Sequence, residues 1–290
     1  IELEETSAAE RARAAYMLVI AEEETFDMSP ADREAWLRRC DMEHDNFRAA
    51  IRYLIAAGDA EWALRMGAAL FRFWEQRDHL TEGRETLARV LSTQQAATAT
   101  RLRARALYGA SVLADLQADL DQAERLSREA CEIYRQFNDP QGIAAAMTAM
   151  AFQTQRQGRL AEATSLFGDT VALWEKVGDA VAADMARSNM AGAAKVEGNF
   201  DLARSLLERI AASFRARGDL HRFANALNGL GDVAAAEGNH DSARRYHHES
   251  LDRYREIDDR WGIARVLADL ASVDLQAGKY AEAGSALKEA

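Results

Sequence analysis

The chain has 290 residues, 48% of them apolar, only 2 prolines, and a formal net charge of −11. That acidity argues against a segment that grips a nucleic-acid backbone, and no run approaches the ~18 apolar residues of a membrane span. Cys40 and Cys131 stand alone without a CxxC partner, so free thiols in a reducing, cytoplasmic setting are expected.

The first segment, Ile1-Glu2-Leu3-Glu4-Glu5, is acidic and lacks the basic start and apolar centre of a signal peptide. Residues 8–24 carry apolar side chains at helical spacing. Ser29-Pro30 is a helix start signal, with serine as cap and proline at the first helical position. Further helix follows through Ala35-Trp36-Leu37 and Glu43-His44-Asp45-Asn46-Phe47-Arg48-Ala49-Ala50-Ile51. Trp36, Trp62, Trp74 and Trp174 fall on apolar stripes and read as core. Glu22-Glu23-Glu24 reads as a solvated helix end rather than a catalytic carboxylate group.

From about residue 102 the chain repeats with a step of 40 residues. One slot holds Ala123, Ala163, Ala203, Ala243 and Ala283, and another holds Tyr134, Trp174, Phe214 and Tyr254. Gly158, Gly198, Gly238 and Gly278 mark a third, and Asp139, Asp179, Asp219 and Asp259 a fourth. In the unit 219–258, Gly218 can end one helix in the left-handed conformation and Asp219 can cap the next. A helix to about Glu237, a Gly238-Asn239 turn and a second helix complete the unit. Small residues at Ser111, Ala151, Ala191, Gly231 and Ala271 mark close helix crossings.

The fold predicted is therefore all-α, an α-solenoid of antiparallel helix pairs. Residues 1–93 form an N-terminal helical region that includes one divergent repeat over 61–91. Residues 100–290 hold about five units, the last stopping at Ala290 inside its second helix, so both ends read as cuts through a longer protein. The polar stretch 94–100 is the expected linker or hinge, because the aspartate ladder fails there at Ala99.

The runs Gly198-Asn199-Phe200-Asp201-Leu202-Ala203 and Gly278-Lys279-Tyr280-Ala281-Glu282-Ala283, with Leu230-Gly231 before them, resemble the tetratricopeptide repeat. The unit is longer than that family's usual one and lacks its closing proline, as in long-helix variants. The resemblance implies that the α-solenoid is right-handed. Trp36-Leu37, the 43–50 run, Leu70-Phe71-Arg72-Phe73-Trp74-Glu75 and His79-Leu80-Thr81-Glu82-Gly83-Arg84 resemble the large bacterial regulators of the signal-transduction ATPase (STAND) class. Phe47 stands where that group usually has Leu, and Asp78 where it often has Gly. In that group a nucleotide-binding switch domain, often with a DNA-binding or cyclase domain, precedes a repeat sensor arm. No G-x-x-x-x-G-K-[ST] occurs here, so this segment does not bind ATP as such a parent would.

Other chemistry is weakly signalled. Gly229-x-Gly231-x-x-Ala234 matches a relaxed dinucleotide pattern but lies inside a predicted helix with no preceding strand. His240, His247 and His248 suit no standard zinc spacing and read as structural or surface residues. No nucleophile elbow is present, and neither an enzyme, a cofactor nor a metal is expected.

What remains is the groove that first helices line in tetratricopeptide proteins. Register carried over from that resemblance points to Arg65 and Arg72, then Arg105, Tyr108 and Asp115, then Phe152 and Arg156. Further on it points to Ser188, with Asn189 beside it, to Asn225, Asn228 and Asp232, and to Arg265. These residues suit a protein or peptide, the parent's own switch domain included. The resulting expectation is a non-enzymatic sensor or regulatory arm of a larger transcriptional or signalling ATPase. The alternative is a small polar effector held in the groove, in a pocket closed by Tyr108, Phe152 and Arg156.

Overall fold

A computed structural model describes residues 2–24, 28–98 and 100–290; Ala99, where the aspartate ladder fails, lies outside them. Among the described residues every regular element is helical, and no helix is long and apolar enough to cross a membrane. The chain forms two compact units, residues 1–157 and 158–290.

In the first unit, α1 (Glu2–Ala21), α2 (Pro30–Met42) and α3 (His44–Ala56) precede the repeats. The repeats then run as α4 (Ala60–Gln76), α5 (Leu80–Leu91), α6 (Arg101–Leu116), α7 (Leu120–Gln136) and α8 (Pro140–Arg156). Ser29 caps α2 as its sequence predicts, whereas α1 begins and ends earlier than the 8–24 pattern suggests. α1 packs on α3 and α4, and the core there is built from large side chains: Trp36, Phe47, Phe73 and Trp74 are all buried. Burying each is worth about 1.5–3 kcal/mol. Trp62 is half-buried against the same cluster. The expected linker is a short 3-10 turn, Gln94–Ala97, packed on α4 and α5. Ala96 is buried there, and Arg103 donates to the Leu91 and Ala96 carbonyls at 3.2 and 2.9 Å.

The second unit contains α9 (Leu160–Val177), α10 (Ala180–Glu197), α11 (Phe200–Arg217), α12 (Leu220–Ala236), α13 (His240–Glu256), α14 (Arg260–Gln276) and α15 (Tyr280–Glu289). Consecutive helices pack as antiparallel pairs, and the first helices α10, α12 and α14 also touch in turn. The alanine ladder explains the closeness, since Ala203, Ala243 and Ala283 are fully buried at the crossings. Of the aromatic ladder here, Phe214 and Tyr254 are buried while Trp174 is half-exposed.

The turns show a finer period. Positive φ falls at Gly158, Gly178, Gly198, Gly218, Gly238, Asp258 and Gly278, and in the first unit at Gly58, Asp78, Ala118 and Asn138. At most of these turns the next residue's N–H returns to the carbonyl five residues earlier, as in Asp219 to Phe214 at 3.0 Å, which closes the helix by a Schellman motif. That same residue then caps the following helix with its side chain when it is Asp or Asn, as at Asp179, Asn199, Asp219, Asn239 and Asp259. At these turns one residue pair ends one helix and, where its second member is Asp or Asn, caps the next; the 3-10 turn between α5 and α6 is a break in the pattern.

Candidate partner-binding face

In the second unit the polar residues of three neighbouring first helices meet across repeat boundaries. Lys195 of α10 reaches Asp232 of α12 at 2.9 Å. Asn228 of α12 donates to Asp269 of α14 at 2.9 Å, and Arg265 of α14 donates to Asn225 of α12 at 2.7 Å. The partners are 37, 41 and 40 residues apart, which is the repeat itself expressed as hydrogen bonds. Ser188 is exposed and Asn189 half-buried on α10. Arg265 also donates to the Tyr254 hydroxyl at 2.6 Å and lies over the exposed ring of Trp261 at 5.0 Å. The strip therefore sets amide, guanidinium, ammonium and carboxylate groups side by side, with Asn225 exposed and Asn228 buried.

One member comes from a second helix. His247 of α13 is buried beneath the strip, its Nδ1 2.9 Å from Asn228 Oδ1. Its ring lies flat on Gly231, where a Cβ would sit 2.5 Å from Cε1, so only glycine leaves space for it. Burial pushes the imidazole pKa down, against the pull of the Asp232 and Asp269 carboxylates. The structure thus separates the sequence cluster of His240, His247 and His248 and joins His247 to two aspartates instead.

The groove positions of the first unit are engaged with their own neighbours. Arg65 pairs with Glu22 at 2.6 Å, while Glu23 and Glu24 face Arg39 and Arg33, so the acidic helix end is an ion-paired corner rather than merely solvated. Arg72 holds Glu75 at 2.9 Å and lies over Phe71, whose ring meets the edge of Tyr108 at 5.8 Å. Arg156 pairs with Asp115 at 2.8 Å and donates to its carbonyl at 2.7 Å; Phe152 and Arg105 are exposed.

Two cavities lie elsewhere. One of 470 Å³ in the first unit is lined by His44, Arg48, Arg52, Glu82 and Arg89 over an apolar floor that includes Phe47 and Trp74. At its rim Arg48 and His44 both bind Glu82; burial would raise this carboxyl's pKa, but those two bonds outweigh it and hold it below the ordinary range. The other, of 310 Å³ in the second unit, surrounds a buried charge network. Asp184 there accepts from Arg187 and Ser213 at 2.6 Å and faces Arg217 at 3.0 Å, and Arg187 also binds Glu175. None of the groove positions named from the sequence lines either cavity.

Sequence reasoning passed over Lys195 and Asp269, and read His247, with His240 and His248, as a structural or surface residue. Asp269 was within reach, because it sits two repeats beyond Asn189, in the same slot.

Tetratricopeptide-repeat family models match residues 143–177 and 222–290. The chain contains a tetratricopeptide-repeat region. Solved structures share its fold at low sequence identity. The STAND protein with a tetratricopeptide-repeat sensor from Pyrococcus horikoshii is 16% identical, with a TM-score of 0.66 over 86% of this chain and 40% of that one. A Rap protein complexed with Competence and Sporulation Factor is 11% identical, with a TM-score of 0.58 over 98% of this chain and 96% of that one. BtubC from P. vanneervenii is 17% identical, with a TM-score of 0.57 over 74% of this chain and 87% of that one. No curated protein matches the sequence.

Proposed function

We propose that the chain is a non-enzymatic, cytoplasmic partner-binding arm of a larger signalling or transcriptional ATPase, and that the strip on α10, α12 and α14 takes an extended peptide or protein segment. The observation that carries this reading is the row of polar side chains on three adjacent first helices, with Ser188 and Asn225 exposed, Asn189, Asp232 and Arg265 half-buried, and Asn228 buried beneath them as their support. An extended backbone presents N–H and C=O groups in alternation and is matched by such a surface. The tetratricopeptide region and the likeness to a STAND sensor support placing the arm beside a switch domain, of which this chain would be the sensing part. The Rap protein in complex with its factor supports a binding role for the same fold. Partner binding would act by favouring one arrangement of the arm over another.

A small polar effector is the second reading. It calls for a concave, mostly enclosed site. Tyr108, Phe152 and Arg156 line neither cavity, so the peptide reading is preferred.

Selection of a displayed peptide library on the 290-residue chain tests the proposal. Selected peptides are expected to lose about tenfold or more in affinity on the double variant Asn225→Ala/Arg265→Ala, and to bind Glu249→Ala on α13 unchanged. Failure to enrich any peptide, or equal binding to the double variant, would refute it.

A further inference from the structure

The meeting of Asp232, His247 and Asp269 invites a further reading, which shares Asp232 and Asn228 with the strip but rests on different observations. One ring nitrogen of His247 and one carboxylate oxygen of each aspartate lie within 4.8 Å of one another. They come from α12, α13 and α14, so the grouping is made by stacking three helices of the second unit and not by a local motif. We propose that these three side chains form a divalent-cation site of the zinc class, with an open position for water.

Four features of the structure support this. First, the donor set of one imidazole nitrogen and two carboxylate oxygens is one that first-row divalent ions accept. Second, the hydrogen bonds fix the histidine in a ligating state. The Asp269 carboxylate only accepts, so the Asn228 amide must turn its Nδ2 toward it and its Oδ1 toward His247. Nδ1 of His247 therefore carries a proton, and in the neutral ring Nε2 keeps the lone pair. Third, that one asparagine orients two of the three ligands, as outer groups around metal ligands do. Gly231 adds the space in which the ring lies. Fourth, a cation is already drawn to one of the carboxylates: the Lys195 ammonium lies 2.9 Å from Asp232 Oδ2.

Bound zinc holds its nitrogen and oxygen ligands at about 2.0–2.2 Å, so the group must contract from its present spread. His247 is held by packing, but both aspartates are half-buried and their side chains can turn inward. Lys195, one-third exposed, can swing out to solvent as the ion enters. The ion would then replace the ammonium as the counter-charge of two carboxylates.

This competition supplies the test. ZnCl₂ is titrated calorimetrically into the 290-residue chain, and Co²⁺ absorption in the visible range reports the coordination. The expected result is one ion per chain. Asp269→Asn should weaken binding by at least about tenfold. Lys195→Met should tighten it by about tenfold, because a competing positive charge is removed. His247→Gln should abolish the cobalt band; if circular dichroism shows that this variant does not fold, the Asp269 and Lys195 variants decide. No uptake of Zn²⁺, or uptake that neither of those two variants changes, would overturn the proposal and leave the cluster as a charge network.

Discussion

The two units share one repeat register but fill their interiors differently. Among the described residues, the buried polar side chains of residues 1–157 are neutral: Thr86, Ser111, Ser127, Gln153 and Thr154. Ser127 bonds Gln153 at 2.8 Å, and Trp36, Phe47, Phe73 and Trp74 pack there among aliphatic side chains. Residues 158–290 instead bury Asp184, Arg187, His247 and Asp274 among alanines. A buried ionic group adds little net stability but is costly to leave unpaired. The register therefore sets where helices lie, while the choice of interior decides how exacting each unit is about its neighbours.

The largest expected effect comes from Asp184. Asp184→Ala leaves the buried Arg187 with only the part-exposed Glu175 as its carboxylate partner and should cost the second unit about 3 kcal/mol. Ser127→Ala in the first unit should cost about 1 kcal/mol. Hydrogen exchange on α10 and α11 against α7 and α8 would separate the two, and the double variant Asp184→Ala/Arg187→Met should recover part of the loss. Equal costs would remove the contrast between the interiors.

Next come two glycines that occupy the same slot, one in each unit. A Cβ at Gly142 would sit 2.3 Å from Tyr134 Cδ1, and one at Gly262 would sit 2.3 Å from Tyr254 Cδ1. Either Gly→Ala change should cost about 1–3 kcal/mol in thermal unfolding, and by similar amounts, since this packing is common to both units. A neutral result at one site alone would show that the shared register does not imply shared packing.

A smaller change of opposite sign is expected at Ala118, which takes φ of 60° where most turns of this kind use glycine. The left-handed conformation costs an L-residue about 1–2 kcal/mol, and the added chain freedom of glycine offsets part of the relief. Ala118→Gly should therefore raise the stability of the first unit by about 0.5–1 kcal/mol, read from denaturant midpoints.

The smallest effect concerns pH. Glu82 is held below its ordinary value of 4.5 despite burial, through Arg48 and His44. A depressed folded-state pKa contributes stability that is present above the unfolded value and lost as pH falls through the folded one. Glu82→Gln should thus flatten the acid limb below about pH 4.5, leaving the limb of the second unit unchanged. A limb of unchanged slope would detach Glu82 from acid unfolding.

The repeat was legible because its turn residues answer to local chemistry. Gly178, Gly218, Asp179 and Asp219 act in the structure as helix stop and helix cap, as their types imply. The half-period of 20 residues was harder to see, because Asp78, Ala118, Asn138 and Asp258 take positive φ without being glycine. The start of α1 was misjudged because no cap signal marks it. Within the candidate site, Asn225, Asn228, Asp232 and Arg265 followed from register alone. His247 did not, since it stands on a second helix and reaches the strip only through the gap at Gly231. Asp184 and Arg187 look like an ordinary surface pair three residues apart; their burial is a property of the stack, which no local pattern carries.

The central claim is that one helix of each pair in the second unit is the binding helix. Hydrogen exchange of the 290-residue chain with and without a selected peptide tests it most directly. The account predicts added protection on α10, α12 and α14, with α11, α13 and α15 unchanged. Protection on the second helices, or spread evenly over both members of each pair, would contradict it.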